Sequence, residues 1–535
     1  MLQISQLRMV LDHDEEALKA AAARELRVPL HFIRSLAIKQ RAIDARRGNV
    51  EFSYTVLVSV LEEEGVLRRM VKNSRVSLAP EESYTQLEGM PGVPPANFRP
   101  VVVGTGPCGL FAGLLLARQG MNPILLERGK AAGDRARDVT GFWRRGWDFN
   151  PDSNVQFGEG GAGTFSDGKL YTQIRDREHR IPWVLRELVK AGAPEDILVN
   201  NRPHIGTDRL IKVVRHIREE IIALGGEVRF ESRVADVKIE DSVMKAVTLA
   251  SGEVIESNQF VFAIGHSSRD TFEMLHRHGV PFEAKPFSVG VRIEHPQKVI
   301  DQSQYGRFSG HSKLGAAAYR FVVHCSTGRS AYSFCMCPGG LVVGSASEAG
   351  MVVTNGMSSY AREESNANSG FMVEVTEADF GGTGALAGIE FQRNLERKAF
   401  EVGGGDYKAP AQLLGDFMAG RPSTGPGSVT PSYLPGVTWT DLRLCLPDYV
   451  VATLQEAIKG LDKQIPGFAM DDAVMIGVET RSSSPVRIPR DPASSECIGI
   501  RGFYPAGEGA GYAGGIISAA VDGMRVAEQL MRPNG

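Results

Sequence analysis

The first ninety residues alternate between hydrophobic and polar positions in a way that predicts a small α+β unit. The segment LQISQLRMVL is typical of a strand. DHDEEALKAAAARELR is typical of a helix, because its acidic first turns and basic end suit the helix dipole. Two more strand-like runs follow, joined by a turn at residues 47–49. The proline- and glycine-rich stretch LEGMPGVPPANFRP then predicts a domain boundary near residue 95.

From residue 101 the pattern changes to that of an α/β protein. The apolar run Val101–Val103 predicts a buried strand, which leads into a glycine-rich turn and a helix that ends near Gln119. A second strand that ends at Glu127 completes the opening of a βαβ unit. Residues 180–265 predict helices followed by several strands. Residues 282–480 are mixed and glycine-rich, with one clear helix in PDYVVATLQEAIKGLDKQI.

Length and composition narrow the class of protein. A chain of 535 residues exceeds a single core, so we expect two or three domains. A net charge of −3 does not favour nucleic acid or a membrane surface as a partner. The amino terminus lacks the pattern of a secretory signal, and no apolar run approaches the roughly 18–20 residues of a membrane span. Six cysteines do not make a disulfide scaffold in so long a chain. We therefore expect a cytoplasmic protein.

The turn after the first buried strand carries the pattern Gly104-x-Gly106-x-x-Gly109. Its context is that of a dinucleotide-binding fingerprint, because a strand precedes it, a helix follows, and Glu127 ends the next strand. Gly104 would form the tight turn, Gly106 would let the backbone approach a pyrophosphate, and Gly109 would let the helix pack on the strand. Glu127 would accept a hydrogen bond from a ribose hydroxyl, which disfavours NADP but leaves FAD and NAD open. We expect three neighbouring positions to line the same site: Pro107, Cys108 and Arg128.

Three later stretches decide between the two dinucleotides. NVQFGEGGAGTFSDGKL (154–170) is a glycine loop placed where some flavoproteins run the chain along the cofactor. QFVFAIGHSSRDT (259–271) resembles a turn common to FAD domains. GFYPAGEGAGYAGGIISAA (502–520) resembles the carboxyl-terminal flavin motif of the glutathione-reductase-type FAD fold, which implies that Glu508 binds the ribityl chain and that the next helix points N–H groups at the flavin pyrimidine. The resemblance implies these further cofactor contacts: Gly160, Gly161, Gly163, Thr164, Gly265, Gly507, Gly514, Gly515 and Ile516.

From about residue 99 to its end, the chain resembles the uncharacterised bacterial family of FAD-dependent dehydrogenases. The matching stretches include GTGPCGLFAGLLLARQG, AIGHSSRDTFEML, SFCMCPGG, TNGMS, ETRSSSPVRI and AGEGAGYAGGIISAAVDG. The resemblance implies FAD as the cofactor and a redox role, without naming a substrate. We expect the α/β class, with a Rossmann-like FAD-binding domain of the glutathione-reductase type at 96–281 and 481–535. An inserted α+β substrate or cap domain would occupy 282–480, and the small α+β domain would occupy 1–95.

Few residues mark the chemistry itself. Cys335 and Cys337 would share one face of a strand, as a redox dithiol, as two metal ligands or as two small buried side chains. We favour packing, and without other paired cysteines we expect no metal. His266 follows the turn of the second stretch and is a candidate acid or base near the cofactor. Arg481 would bind an anionic substrate, stabilise a reduced flavin, or form a surface ion pair.

These observations favour an FAD-dependent oxidoreductase whose flavin accepts and passes on a hydride. No second fingerprint of comparable quality is present, so NADH or NADPH, if it is the donor, would dock without a Rossmann domain of its own. One alternative is a flavin monooxygenase that uses NAD(P)H and oxygen. The other is a flavin-containing factor that binds RNA or protein through its basic amino-terminal unit. We expect a small-molecule substrate, no nucleic acid and no membrane, whereas the substrate and the oligomeric state do not follow from the sequence.

Overall fold

The amino-terminal unit is one antiparallel sheet with two helices. A computed structural model of the chain describes residues 1–85 and 99–532. The first of these ranges contains β1 (Leu2–Met9), α1 (Glu15–Leu26), β2 (Ile33–Asp44), β3 (Glu51–Val60), α2 (Glu63–Arg69) and β4 (Val76–Leu78). Alternate side chains of β3 are buried, as the two-residue period of a strand requires. Asp14 caps α1 by accepting the Ala17 N–H at 2.7 Å. The predicted strands and helix are confirmed, while most of the predicted boundary stretch, 87–100, lies outside the described residues.

The second part of the chain alternates strands and helices, as its hydrophobic pattern predicted. It contains β5 (Val101–Val103), α3 (Pro107–Arg118), β6 (Ile124–Leu126), α4 (Ala132–Arg145), α5 (Arg180–Lys190), α6 (Thr207–Ala223), β7 (Glu227–Arg229), β8 (Val234–Glu240), β9 (Val243–Leu249), β10 (Val254–Glu256), β11 (Phe260–Phe262) and α7 (Arg269–Arg277). The βαβ opening and the helices and strands expected within 180–265 are therefore confirmed.

The third part is mixed and ends in the predicted strand and helix of the carboxyl-terminal glycine region. It contains β12 (Glu283–Ala284), β13 (Phe287–Pro296), α8 (Gln297–Tyr305), β14 (Val322–His324), β15 (Ser330–Cys337), β16 (Leu341–Gly344), β17 (Thr354–Met357), β18 (Asn366–Val375), α9 (Ala387–Gly403), β19 (Ala409–Leu413), α10 (Leu414–Ala419), β20 (Val437–Trp439), α11 (Asp448–Leu461), β21 (Val474–Glu479), β22 (Val486–Arg487), β23 (Phe503–Pro505) and α12 (Ile516–Leu530). The single helix expected near residues 447–465 is α11.

A five-stranded parallel sheet brings the two ends of this region together. Its order is β23-β11-β5-β6-β7, so the strand that follows residue 502 joins the edge of the sheet formed by residues 101–262. Val102 and Val261 face a core shared with α3, α6 and α12, while Val101 and Val103 face β8–β10 and α7. Both faces are covered, which explains the uninterrupted apolar strands. The mixed α/β class with a parallel sheet is confirmed.

A larger, mostly antiparallel sheet is inserted between these segments. Its order is β14-β15-β18-β13-β21-β19-β20, and β13 is its central strand, buried on both faces. The short pair β12–β22 closes the insertion where it leaves and rejoins the parallel sheet. Within 1–85 and 99–532, no helix combines the length and the apolar character needed to cross a membrane.

Candidate functional site

The amino-terminal glycine cluster, residues 104–109, sits at the carboxyl end of β5. A Cβ on Gly104 would lie 2.5 Å from the carbonyl oxygen of Ala263, and one on Gly109 would overlap the carbonyl oxygen of Gly104. These two glycines are required by packing alone. Gly106 differs: its φ of −68° suits any residue, and a Cβ there would find no atom nearer than Gly161 Cα at 3.8 Å. The backbone at Gly106 therefore faces open space at the start of α3, as a pyrophosphate site requires.

The loop at 158–165 lies over this turn. The Gly160 N–H donates to the Thr105 carbonyl oxygen at 2.9 Å, which fixes the loop against the end of β5. Gly161 adopts a φ of 61° and approaches the Gly106 backbone, where a Cβ would come within 3.0 Å. The Thr164 side chain is buried and donates to the Glu159 carbonyl oxygen at 3.3 Å. Two glycine backbones thus meet at one point of the predicted cofactor path.

The carboxyl-terminal glycine cluster, residues 507–515, reaches the same place from the other end of the chain. A Cβ on Gly507 would lie 2.9 Å from the Cys108 side chain, and one on Gly523 would overlap the Cys108 carbonyl oxygen. Cys108 is therefore a packing residue between α3 and α12. Gly514 and Gly515 are exposed at the start of α12, and a Cβ on either would meet no atom of the described residues within 4 Å.

The two clusters also meet through their neighbours. A Cβ on Gly163 would lie 3.2 Å from the Ile516 side chain and 3.8 Å from the Pro107 ring, so the loop touches the first residues of α3 and α12 together. Gly265 has a φ of 70°, and the Gly509 backbone packs against it. The two glycine clusters and the loop at 158–165 therefore meet at the carboxyl edge of the parallel sheet, and the surface that they frame is called the groove below.

Glu127 is buried and its carboxylate is fully used by protein donors. Oε2 accepts from the Thr105 N–H at 2.9 Å and the Thr105 hydroxyl at 2.7 Å, and Oε1 accepts from the N–H groups of Gly129 and Gly158 at 3.0 Å each. Four donors fill the acceptor positions of one carboxylate. A ribose hydroxyl would have to replace the Thr105 hydroxyl, which is the donor that can rotate away.

Arg128 is held by acidic partners rather than left open. Its guanidinium bonds to Asp152 at 2.8 Å and to Asp270 at 3.0 Å, and it lies 4.0 Å from the centre of the Phe157 ring. These contacts tie the end of β6 to α7 and to the loop before residue 158. Arg128 thus shapes the wall of the groove.

Glu508 and His266 face each other on the opposite side of the groove. Their nearest atoms, Glu508 Oε1 and His266 Nε2, are 3.9 Å apart, and the Glu508 side chain is 25% exposed. Burial raises the pKa of Glu508 to about 7, with Lys285 opposing the shift. Burial and the positive charges of Arg481 and Arg269 lower the pKa of His266 to about 3. His266 is thus neutral near pH 7 and cannot act there as an imidazolium acid.

Arg481 is buried, which makes the expectation of a surface ion pair wrong. Its guanidinium bonds to Glu396 at 2.9 and 3.1 Å, to the Ser347 hydroxyl at 2.6 Å and to the Ser267 hydroxyl at 3.0 Å. Arg269 pairs with the same carboxylate at 2.7 Å. Arg481 therefore joins the inserted sheet to the turn at 264–268, behind His266.

The cysteines lie at an irregular point of β15. The pairing of β15 with β18 shifts register between Phe334 and Cys337, and Cys335 has a φ of 45°, so the predicted regular alternation does not hold there. Both thiols are free. The Cys337 thiol donates to the Cys335 carbonyl oxygen at 3.2 Å, and Lys169 Nζ is 3.8 Å from Cys337 Sγ.

Three further charged side chains near the cysteines escaped the sequence reasoning. Arg292 and Glu479 form a buried ion pair between β13 and β21, and Arg292 also donates to the Cys335 carbonyl oxygen at 2.9 Å. Lys285 lies close enough to oppose the raised pKa of Glu508. One sequence feature could have indicated the ion pair: an arginine stands inside the otherwise apolar strand FSVGVRI. A charge in a strand that is buried on both faces needs a partner.

Lys169 lies between an acidic partner and the cysteines. Its ammonium group pairs with Asp167 at 2.8 Å, and Arg362 holds the same carboxylate at 2.9 Å. Asp167, with Cys337 and Cys335, raises the pKa of Lys169 although burial opposes the shift. The described residues hold no group of three or more His, Cys, Asp or Glu side chains suited to a metal ion.

The residues around the groove are of the kind that bind a dinucleotide. Open glycine backbones at Gly106 and Gly515 flank it, and the Glu508 carboxylate accepts no hydrogen bond from any residue that the structure describes. A partly exposed carboxylate without a protein donor can accept a hydrogen bond from a hydroxyl-bearing ligand or from water. The fold and groove together define a dinucleotide-binding protein.

Comparison with known proteins names the family. Residues 286–482 match the family described as "FAD-dependent protein, C-terminal domain-like", and residues 1–59 match a domain family of unknown function, DUF8436. A Clostridium beijerinckii protein, described as "Uncharacterized protein", is 49% identical over 533 residues, which are 99% of this chain and 98% of that protein. The chain belongs to this family of FAD-dependent proteins, and FAD is its cofactor.

Solved structures show only distant likeness. L-proline dehydrogenase from P. horikoshii is 13% identical with a TM-score of 0.33, covering 82% of this chain and 94% of that one. Glycine oxidase from Bacillus cereus is 11% identical with a TM-score of 0.31, covering 81% of this chain and 95% of that one. At these values neither likeness assigns an activity to this chain.

Proposed function

We propose that the chain is an oxidoreductase whose FAD lies in the groove between the two glycine clusters. The observation that carries the proposal is that Gly106 and Gly515, about four hundred residues apart, present open backbone to one groove at the carboxyl edge of the parallel sheet. Ligands of open parallel sheets bind at that edge. The inserted sheet supports a redox role because it places Arg292 and two thiols next to Lys169, which lies four residues after the loop that covers Gly106.

We assign the dinucleotide-binding part to residues 96–281 and 481–535, as a domain of the glutathione-reductase type. The strand order, with β23 added beside β11, supports this assignment. Residues 282–480 would form the substrate domain, since they supply the large antiparallel sheet. Residues 1–95 would be accessory, because none of the groove residues described above comes from them.

Each end of the groove has residues suited to one half of FAD. The Gly106 and Gly161 backbones and the start of α3 would hold the pyrophosphate, with Glu127 organising the turn below it. Glu508 would accept a hydrogen bond from the ribityl chain. The N–H groups at the start of α12 would face the pyrimidine edge of the flavin.

The bound flavin supplies two-electron chemistry, and the chain supplies charge and proton control around it. Lys169 keeps its positive charge, because the fixed Asp167 carboxylate holds it protonated, and would favour an anionic reduced cofactor or substrate. His266 stays neutral. Glu508, with a pKa of about 7, can hold or release a proton near neutral pH. The substrate would be a small molecule that enters over the inserted sheet.

An anaerobic titration of the purified protein with NADH, and separately with NADPH, tests the proposal. Bleaching of the visible flavin absorbance by either nucleotide is the expected result. Oxygen uptake that yields a product other than peroxide would instead identify a monooxygenase. A colourless protein that cannot be reconstituted with FAD would contradict the proposal, and a yellow protein that no nucleotide, reductant or small-molecule donor reduces would assign the cofactor a structural role.

A further inference from the structure

The cysteine pair, Cys335 and Cys337, has the geometry of a dithiol that can close. Residues two apart in an extended strand have Cα atoms about 6.6 Å apart, and a disulfide tolerates Cα separations up to about 7 Å. The bulge and the left-handed conformation of Cys335 bend β15 at this point. The Cys337 thiol donates to the Cys335 carbonyl oxygen at 3.2 Å, so the Cys337 side chain is directed back toward Cys335.

The backbone conformation of Cys335 is costly for a residue that only packs. A non-glycine residue at a φ of 45° is strained and persists where its surroundings impose it. Here Arg292 holds the Cys335 carbonyl oxygen at 2.9 Å, and the Cys337 thiol donates to the same oxygen at 3.2 Å. Two independent contacts therefore fix the backbone bend at Cys335.

Two cations stand next to the pair, and one of them, Arg292, is buried. Lys169 Nζ lies 3.8 Å from Cys337 Sγ, and the Arg292 guanidinium is fully buried beside Cys335. The neighbouring Cys337 thiol, together with these charges, lowers the pKa of Cys335, whereas the Cys335 side chain and burial raise the pKa of Cys337. These opposite shifts favour a thiolate at Cys335 and a thiol at Cys337, the combination from which a disulfide forms in a single two-electron oxidation.

The pair also lies beside the cofactor groove. Lys169 follows directly on the loop that covers Gly106, and Cys335 is close enough to Glu508 for its charge to help raise the pKa of that carboxyl. Cys335 is partly exposed, while Cys337 is fully buried behind it. Cys335 is thus the sulfur that faces the groove, and Cys337 is the resolving sulfur.

We propose that Cys335 and Cys337 are a redox-active dithiol that exchanges two electrons with the bound FAD. Closing the pair forms one S–S bond from the Cys335 thiolate and the Cys337 thiol. The two electrons and the thiol proton pass to oxidised FAD, which becomes the singly protonated reduced anion, so atoms and charge balance. Lys169 stabilises the negative charge that moves from sulfur to the cofactor. This inference rests on the proposed function, since it needs FAD in the groove.

Counting reducing equivalents tests the dithiol. We expect the FAD-loaded full chain, oxidised beforehand, to take up about two equivalents of dithionite per FAD under anaerobic conditions, one for the flavin and one for the disulfide. Cys335→Ser and Cys337→Ser should each take up one equivalent. The matched control is Cys325→Ser, which alters another buried thiol, on the strand-flanking turn near Thr453, and should still take up two.

A second measurement reads the bond directly. Cys335 and Cys337 lie in one tryptic peptide, residues 330–362. In oxidised protein, the mass of this peptide should be two hydrogen atoms below that of the reduced peptide, and its two cysteines should not be alkylated. Four of the six cysteines of the chain should then react with the alkylating agent in denaturant. Dithionite-reduced protein should expose all six. If the serine variants fail to fold, as judged by circular dichroism and FAD content, the wild-type peptide decides alone.

The outcomes separate this inference from the proposed function. A protein that binds FAD, is bleached by its donor and takes up only one equivalent overturns the dithiol and leaves the oxidoreductase standing. An alkylatable pair in fully oxidised protein overturns it as well. A protein that binds no FAD overturns both.

Discussion

At the scale of single residues, the glycines of the fingerprint do two different jobs. Gly104 and Gly109 are required because a methyl group there meets backbone carbonyl oxygens, whereas Gly106 has an ordinary φ and open space in front of it. The sequence pattern treats the three alike. The structure separates those that build the turn from the one that leaves room for a ligand.

Replacing Gly106 by alanine should therefore separate binding from folding. We expect Gly106→Ala to fold with wild-type stability and to bind FAD at least tenfold more weakly, about 1.4 kcal/mol, because the methyl group occupies the pyrophosphate approach. Calorimetric titration of the apoprotein measures this. Gly133→Ala, an open helical glycine on α4, is the control and should bind normally. Wild-type affinity in Gly106→Ala would place the pyrophosphate elsewhere.

Gly109→Ala should behave in the opposite way. Its methyl group overlaps the Gly104 carbonyl oxygen, so α3 must move away from β5. We expect overpacking to lower the free energy of unfolding of the apoprotein by about 1–3 kcal/mol, measured by urea denaturation. An unchanged denaturation midpoint would show that the helix start adapts without cost.

Glu508 makes the stability of the apoprotein depend on pH. Its pKa rises from 4.5 in the unfolded chain to about 7 in the fold, so the folded state binds one more proton between these values and stability falls as pH rises through them. Glu508→Gln should remove this slope and stabilise the apoprotein at pH 8 by roughly 2 kcal/mol, less than the full shift because a quarter of the side chain is exposed. Urea unfolding between pH 5 and pH 8 measures how the free energy of unfolding depends on pH. Glu256→Gln, which changes an exposed carboxylate, is the control. A persisting slope in the variant would assign it to other groups.

At the scale of elements, buried charged side chains connect helices and strands that are far apart in the sequence. The hydrophobic pattern of these elements does not by itself determine how they pack against one another. Glu396 on α9 accepts from Arg269 on α7 at 2.7 Å and from Arg481 after β21 at 2.9 Å. The strands and helices themselves were predictable, because their hydrophobic periods are regular. These contacts were not, since three charged residues far apart in sequence carry no local mark of sharing one carboxylate.

Removing the shared carboxylate should destabilise the fold strongly. Glu396→Gln leaves two buried guanidinium groups underpaired, and we expect a loss of about 3–5 kcal/mol in the free energy of unfolding. The arginines hold the pKa of Glu396 well below its usual range, so wild-type stability should also fall as pH drops below about 4.5. Glu401→Gln, exposed on the same helix, is the control for urea unfolding. Equal stability in both variants would mean that the network contributes little.

At the scale of the whole molecule, the cofactor groove is assembled from segments that are far apart in the sequence. The sequence motifs suggest that these segments lie together, but only the fold shows it. Each glycine cluster was visible by itself, because strand, glycines and helix occur in order. That they meet depends on β23 pairing with β11 and on α12 packing on α3 through Gly523. The bulge at Cys335 and the cations around it were beyond sequence reasoning, since β15 looks like an ordinary strand until its partner strand is known.

The amino-terminal unit stands apart from this groove, so its removal should leave the cofactor site intact. Its described contacts with the rest of the chain include Arg41 with Asn200 at 2.9 Å and Lys313 with the Leu11 carbonyl oxygen at 3.1 Å, and the groove residues described above all lie beyond residue 100. A chain starting at residue 99 should bind FAD with an affinity within a few-fold of the full chain and should be bleached equally by the donor. Fluorescence titration and anaerobic reduction measure both, with circular dichroism to verify folding. A shortened chain that folds but binds no FAD would make the amino-terminal unit part of the cofactor site. The alternative of an RNA-binding factor would be favoured by a different result: the full chain binds RNA, the shortened chain does not, and no donor reduces the flavin.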